Sequence, residues 1–350
     1  MRNLILKKRM KKLKPKWLKT STMKRKLNNL YFNIWYKFYK RPNIHTENIL
    51  VIITEAMGDT IVKSGALEVI RQKYGTEKVF VCINSKWKDL ISRMNYNIFV
   101  KEKGVKSRIK MIKEMDKKGF DKIIDLNFGG DLGITSVVTH KKLISLKNYM
   151  EKNEKYILNP IYKLIKSEID ENLTFEDIKP DMRPYYKIKT SGIMVGVGAS
   201  HESKVFPSEK MIEVLKVVQK KYPKEKIYLL GANNKQKNYA ETVVKGLNSN
   251  LVINLVNKIS LIESIERVAE SKLYLGFDSG LYHVAYSLKK DIVVFFGRVS
   301  GFEHPEPNIK ILMGDGKNPM RDSYYGNEFV NSIKISQVEE ALKEFQENGS

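Results

Sequence analysis

The sequence of 350 residues predicts an α/β protein built from two Rossmann-like halves. Three observations point there. From residue 48 onward, short apolar runs alternate with amphipathic stretches, the pattern of a parallel sheet covered on both faces. The alternation loosens between about 145 and 190 and then restarts, so two such units follow one another. The composition, 42% hydrophobic and 10% aromatic, suffices for real cores and excludes a wholly disordered chain.

The first element is an arm, residues 1–45, of a different character. Residues 1–41 hold fifteen Lys or Arg and no acid, so most of the net charge of +24 lies in the first eighth of the chain. Leu27, Leu30, Tyr31, Ile34, Trp35 and Phe38 recur at helical spacing, and Phe32, Tyr36 and Tyr39 widen the stripe. A weaker stripe, Leu6, Met10, Leu13 and Trp17, is interrupted by Pro15. Basic, aromatic-rich amphipathic helices lie in the headgroup region of anionic membranes. Packing on the protein's own body is the rival reading. A nucleic-acid partner fits least, for want of zinc-finger spacing, RNP-like aromatics or a helix-turn-helix. No apolar run approaches the roughly 18–20 residues that span a bilayer, and Leu4-Ile5-Leu6 is too short for a secretory h-region.

The first half, 46–165, reads as strand 49–54, a helix from Met57-Gly58-Asp59 to about residue 74, and strand 78–83. Helix 85–93, strand 97–100, helix 106–118 and strand 121–126 follow. Cys82 sits in the second strand as a buried structural residue. As the single cysteine it forms no intrachain disulfide, which fits a reducing cytoplasmic setting. Residues 166–190, with their acids and the breakers Pro180 and Pro184, read as an inter-domain connection. The second half, 191–330, reads as strand 192–197, helix 208–222, strand 226–230 and helices 235–247 and 260–270. Strand 272–276, helix 281–288 and strand 291–296 complete it, and a closing helix over 336–347 occupies the segment 331–350.

Ligands of open α/β sheets bind at the carboxyl ends of the strands. After the first strand, Gly58 permits a tight turn and Asp59 begins a helix, as a general base or as a helix cap. The loop Gly196-Val197-Gly198-Ala199-Ser200-His201-Glu202-Ser203-Lys204 lacks the third glycine of a dinucleotide fingerprint, and no Walker A pattern occurs. Its free N–H groups, Ser200, Ser203 and Lys204 are parts for holding phosphate. Asp278-Ser279-Gly280 opens a helix behind a strand and offers N–H groups to an anion, with His283 in the first turn. Arg298, in loop 297–305, can face an anionic group. His45, His140, His201, His283 and His304 show no metal-ligand spacing, and no GxSxG elbow is present, which removes metal and serine hydrolases.

Taken together, these segments resemble glycosyltransferase family 9, the ADP-heptose:lipopolysaccharide heptosyltransferases. Residues 49–60 resemble the family's opening strand and Gly-Asp loop. Gly198-Ala199-Ser200 with Lys204-Val205-Phe206-Pro207 resembles its GAS…KxWP segment, and 277–285 its DSGxxHxAxA signature. Three departures stand out: Phe206 where Trp is common, Glu55 where small or hydroxyl residues are usual, and Asn233 where an acidic residue often meets the ribose hydroxyls.

The resemblance implies a GT-B fold, two Rossmann-like domains facing a central cleft, with acceptor on the N-terminal and nucleotide-sugar on the C-terminal side. It implies a metal-independent, inverting transfer of a sugar, heptose above all, from a nucleotide-sugar such as ADP-heptose, with no bound cofactor. The acceptor it implies is a lipid-linked cell-surface glycan such as the lipopolysaccharide core. Asp59 then matches the general base, with Gly58 and Thr60 on the acceptor side. Gly198, Ser200, Lys204, Asn233, Asp278, Ser279, Gly280 and His283 fall on the donor side, Lys204 at the diphosphate and Asn233 at the ribose. The basic arm, residues 1–41, lies outside the family pattern; contact with an anionic membrane would hold the chain peripherally at the inner face of the cell membrane. A transferase using another nucleotide-sugar for capsule or other glycolipid synthesis, and a non-catalytic nucleotide- or glycan-binding relative, are the alternatives.

Overall fold

A computed structural model describes residues 21–40, 42, 44, 46–298, 300–317 and 326–347. Two all-parallel sheets organise it. The first has the order β3-β2-β1-β4-β5, from β1 (Ile49–Ile53), β2 (Val79–Asn84), β3 (Asn97–Lys101), β4 (Lys122–Asp125) and β5 (Lys142–Ser145). The second has the order β11-β10-β9-β6-β7-β8. Its strands are β6 (Ile193–Gly196), β7 (Ile227–Leu230), β8 (Val252–Asn254), β9 (Leu273–Phe277), β10 (Asp291–Phe296) and β11 (Ile309–Met313).

Ile49-Leu50-Val51-Ile52-Ile53 has no polar alternation because helices cover both faces of its sheet, and all five residues are buried. Each such aliphatic side chain contributes roughly 1.5–3 kcal/mol when fully removed from water. In register, Val51 stands between Val81 and Ile124 at the centre of the first core. Cys82 is buried beside it, as expected.

Helices α2 (Met57–Val62) and α3 (Ser64–Tyr74) occupy the stretch read as one helix, broken at Lys63. Just past the break, Gly65 lies so close to the Ile178 carbonyl that a Cβ there would sit 2.2 Å from the oxygen. Helix α4 (Val105–Lys118) covers the other face. The segment read as a loosening contains helix α5 (Leu158–Glu168), whose Leu158, Ile161, Leu164 and Ile165 join the first core. Between Ile178 and Met182 the chain passes from the first core to the second.

The second sheet is covered by α6 (Ser208–Lys221), α7 (Asn234–Leu247), α8 (Leu261–Glu270), α9 (Gly280–Ser287) and α10 (Ile335–Glu347). The last packs Val338, Ala341 and Leu342 into that core beside α6.

The arm's helix, α1 (Ser21–Phe38), docks on the body, but not through the whole predicted stripe. Phe32 is buried among Met111, Ile112, Met115 and Ile134, with Trp35 and Tyr36 alongside. The Arg108 guanidinium lies 3.8 Å from the Phe32 ring centre, and the Tyr36 hydroxyl donates to the Ser136 carbonyl at 3.0 Å. Leu30, Tyr31, Ile34 and Phe38 remain exposed. Leu27 and the stripe Leu6, Met10, Leu13 and Trp17 lie outside what can be described at side-chain level. Among the described residues no helix is long and apolar enough to cross a membrane.

Candidate active site

In each sheet the chain leaves the middle in two directions: from β1 toward β3 and from β4 toward β5, then from β6 toward β8 and from β9 toward β11. The loops after β1, β6 and β9 therefore open at the two topological switch points, where a crevice forms. They enclose a cavity of about 560 Å³. Met57 and Gly58 line it from the first half, and Gly198, Ser200, Ser279 and Gly280 from the second. Leu230, Ile259, Leu261 and Leu281 add apolar surface to its lining.

Helices α2 and α9, one from each half, pack directly on each other. Both contacts depend on glycine. A Cβ on Gly58 would lie 2.5 Å from Cδ2 of His283, and one on Gly280 would lie 2.1 Å from Cε of Met57.

Asp59 lies in the first turn of α2 and is half-buried. One carboxylate oxygen, Oδ2, accepts from the Ala56 N–H at 3.2 Å as a cap, which leaves Oδ1 for other work. Burial raises its pKa above the ordinary carboxylate range, the cation of Lys63 pulls it back, and Glu55 and Asp278 push it up. Lys63 was missed by sequence reasoning. It is fully buried, ion-paired to Glu55 Oε2, with its Nζ 3.6 Å from the centre of the Phe128 ring. Burial lowers its pKa, and Glu55 and Asp59 oppose that shift. Glu55 is itself fixed, accepting from the Phe128 N–H at 2.9 Å, so it braces the loop. Thr60 differs from expectation: it is buried and donates to the Ala56 carbonyl at 3.0 Å, so it does not face the acceptor side.

On the donor side, Lys204 and Asp278 form a buried ion pair. His283 corrects another expectation. It does not reach the cavity; it is buried beneath the turn, with Nε2 3.9 Å from Asp278 Oδ1 and Nδ1 3.2 Å from His304 Nε2. His304 in turn meets the Tyr156 hydroxyl at 3.0 Å, beneath the start of α5. Burial depresses the His283 pKa from 6.5 to about 4, so the ring is neutral near pH 7.

Asn233 is exposed and caps α7, accepting from the Gln236 N–H at 3.0 Å. The amide lining the cavity belongs to Gln236, the second residue that sequence reasoning missed. Its Oε1 accepts from the Ala232 N–H at 2.9 Å, which turns Nε2 toward Gly198. The Nε of Arg298 is enclosed without a hydrogen-bond partner. Among the described residues no three His, Cys, Asp or Glu side chains group as a metal site.

Known proteins share this fold. Residues 155–309 match the family model of glycosyltransferase family 9 (heptosyltransferase). Lipopolysaccharide heptosyltransferase 1 of Campylobacter coli is 23% identical over 306 residues, covering 77% of this chain and 90% of that protein. The E. coli ADP-heptose LPS heptosyltransferase II superposes with a TM-score of 0.65 at 18% identity, over 86% of this chain and 99% of that one. The E. coli heptosyltransferase WaaC, solved with ADP-2-deoxy-2-fluoro heptose, gives 0.66 at 13% identity, over 87% and 100%. The architecture is that of the GT-B heptosyltransferases, and the match to the family 9 model runs from α5 through the turn that carries Asp278.

Proposed function

We propose that the chain transfers heptose from ADP-heptose to a lipid-linked cell-surface glycan of the lipopolysaccharide-core type, with inversion and without a metal ion. The observation that carries the reading is the cavity where α2 meets α9, lined by Gly58, the neighbour of Asp59, on one side and by the turns at Gly198-Ser200 and Ser279-Gly280 on the other. The name of the Campylobacter relative and the ADP-sugar in the WaaC complex support heptose and adenine.

Asp59 Oδ1 takes the proton of the acceptor hydroxyl as its oxygen bonds to the anomeric carbon. The bond to the diphosphate breaks on the opposite face, and its electron pair leaves with ADP. The departing charge is met by Lys204, by the N–H groups of the turn at Gly198 and Ser200, and by the N-terminus of α9 at Ser279 and Gly280. Asp278 holds Lys204. Gln236 Nε2 donates to the ribose in the place expected for Asn233, and the apolar surface of the cavity receives the base. Gly58 shapes the acceptor side through its contact with His283. A lipid-linked acceptor places the reaction at the cytoplasmic face of the membrane, with an anionic membrane as the partner of residues 1–41.

The test is thermal stability with ADP, UDP, GDP or CDP, followed by turnover with ADP-heptose. A ligand at about 100 times its dissociation constant adds roughly 2.7 kcal/mol, a shift of several degrees. A selective rise with ADP is the expected result. A rise with another nucleotide alone would replace the donor, and no response to any would overturn the reading in favour of a non-catalytic relative.

A further inference from the structure

Helix α1 has two apolar faces, and the body uses one. Phe32 is buried against α4, and Trp35 and Tyr36 lie on the same side. Tyr39 follows them, its phenol pushed up to about 12 by burial and the neighbouring Asp116. On the other side Leu30, Tyr31, Ile34 and Phe38 are 56, 53, 52 and 77% exposed. Four large apolar side chains at helical spacing, more than half exposed on a helix already anchored elsewhere, make a contiguous patch of the kind that marks an interaction site.

The charge around the patch selects the partner. Lys37 and Lys40 are exposed beside it. Helix α4, on which α1 sits, presents Lys106, Lys110, Lys113 and Lys117 to solvent in a single stripe at i, i+4, i+7 and i+11. A protein or nucleic-acid partner would not require both an aromatic-aliphatic strip and a separate lysine stripe on adjacent helices. The interface of an anionic bilayer requires both, acyl chains for the first and phosphate headgroups for the second.

We infer that the outer face of α1 and the lysine stripe of α4 together form a binding surface for an anionic lipid bilayer. Because α1 is clamped to the catalytic body through Phe32 and Arg108, the surface fixes the orientation of the enzyme on the membrane instead of tethering it loosely. The inference deepens the lipid-linked-acceptor reading and rests on it only for why the enzyme would be there.

The experiment is co-sedimentation of the full chain with vesicles of phosphatidylcholine alone or mixed with phosphatidylglycerol, without substrate. The expected result is salt-sensitive binding to the mixed vesicles only. Two variants, Leu30→Ser/Ile34→Ser/Phe38→Ser and Lys106→Gln/Lys110→Gln/Lys113→Gln/Lys117→Gln, should each weaken it by about tenfold or more with unchanged melting temperature. If the triple apolar variant melts early, Phe38→Ser at the most exposed position serves in its place and should also weaken binding. Wild-type binding by the apolar variants overturns the inference. So does a concentration-dependent dimer that those variants abolish, or competition by duplex DNA that depends on the lysines alone. The nucleotide-induced thermal shift is read separately, so loss of vesicle binding and loss of the donor site are distinguishable.

Discussion

Asp59 has two tasks and one carboxylate. Oδ2 caps its own helix through the Ala56 N–H, and Oδ1 is the atom assigned to the acceptor proton. Asparagine can still offer an oxygen to that N–H, so Asp59→Asn should keep the loop and the nucleotide-induced shift while turnover falls by about 10²–10⁴-fold. Normal turnover would remove Asp59 from the mechanism. The tuning of this group falls to Lys63, which works against the burial that raises the carboxyl. Lys63→Met should raise the Asp59 pKa further, and since the base works deprotonated, the acid limb of kcat/KM should move to higher pH. Glu55→Gln removes a nearby anion and should move the same limb the other way. Two shifts of the same sign in the pH–rate profile would rule out this arrangement. Lys63 was hard to find because periodicity reads it as the solvated residue of one long helix. The available signal was its company, since Thr60-Ile61-Val62 and Ser64-Gly65-Ala66-Leu67 leave no charged neighbour to mark an exposed side.

Helices α2 and α9 set the geometry between the halves through two glycines that are not equivalent. A Cβ on Gly58 meets the ring of His283, which His304 holds from the far side, whereas a Cβ on Gly280 meets the mobile end of Met57. Gly58→Ala should therefore cost about 1–3 kcal/mol, the range for overpacking a closed contact, and Gly280→Ala less. Urea unfolding of both variants checks the order, and equal costs would mean that the helices part easily. The glycine contacts themselves were invisible in the sequence, because each partner comes from the other half of the chain. Most central strands were legible, since a strand buried on both faces is a continuous apolar run, as in Ile49-Leu50-Val51-Ile52-Ile53. The three strands not anticipated, β5, β8 and β11, all lie at sheet edges and carry polar or exposed residues such as Lys142, Asn254 and Lys310. Helix α5 was hidden by its acidic and proline-rich surroundings. Asn233 and Gln236 show the same limit at the site: both amides were in view, but only the turn of α7 determines which one caps and which one faces the cavity.

For the whole molecule, the question is whether the basic N-terminal region is an appendage or part of the body. Charge alone suggests an appendage, because fifteen basic residues without an acid describe a segment that could be removed without consequence for the fold. The packing of α1 contradicts that. Phe32 closes one face of the first core over Met111, Ile112 and Met115, and Arg108 stacks on its outer side. Removing a buried phenylalanine costs about 3–5 kcal/mol where the site cannot collapse, and a face built from α4 and the 134–138 segment is too firmly framed by β1 and β4 to fill the gap. Phe32→Ala should lower the urea midpoint by an amount of that order, and a chain beginning at residue 42 should be destabilised at least as much. The exposed substitution Phe38→Ser should leave the midpoint where it is. Unfolding curves of these three proteins and the full chain separate the cases. If the shortened chain were as stable as the full one, α1 would be a detachable tether and membrane attachment could not orient the cleft. If Phe32→Ala and the truncation both destabilise while Phe38→Ser does not, the inner face of the helix belongs to the enzyme and the outer face is left for its surroundings. The cleft would then face the membrane at an angle determined by the fold.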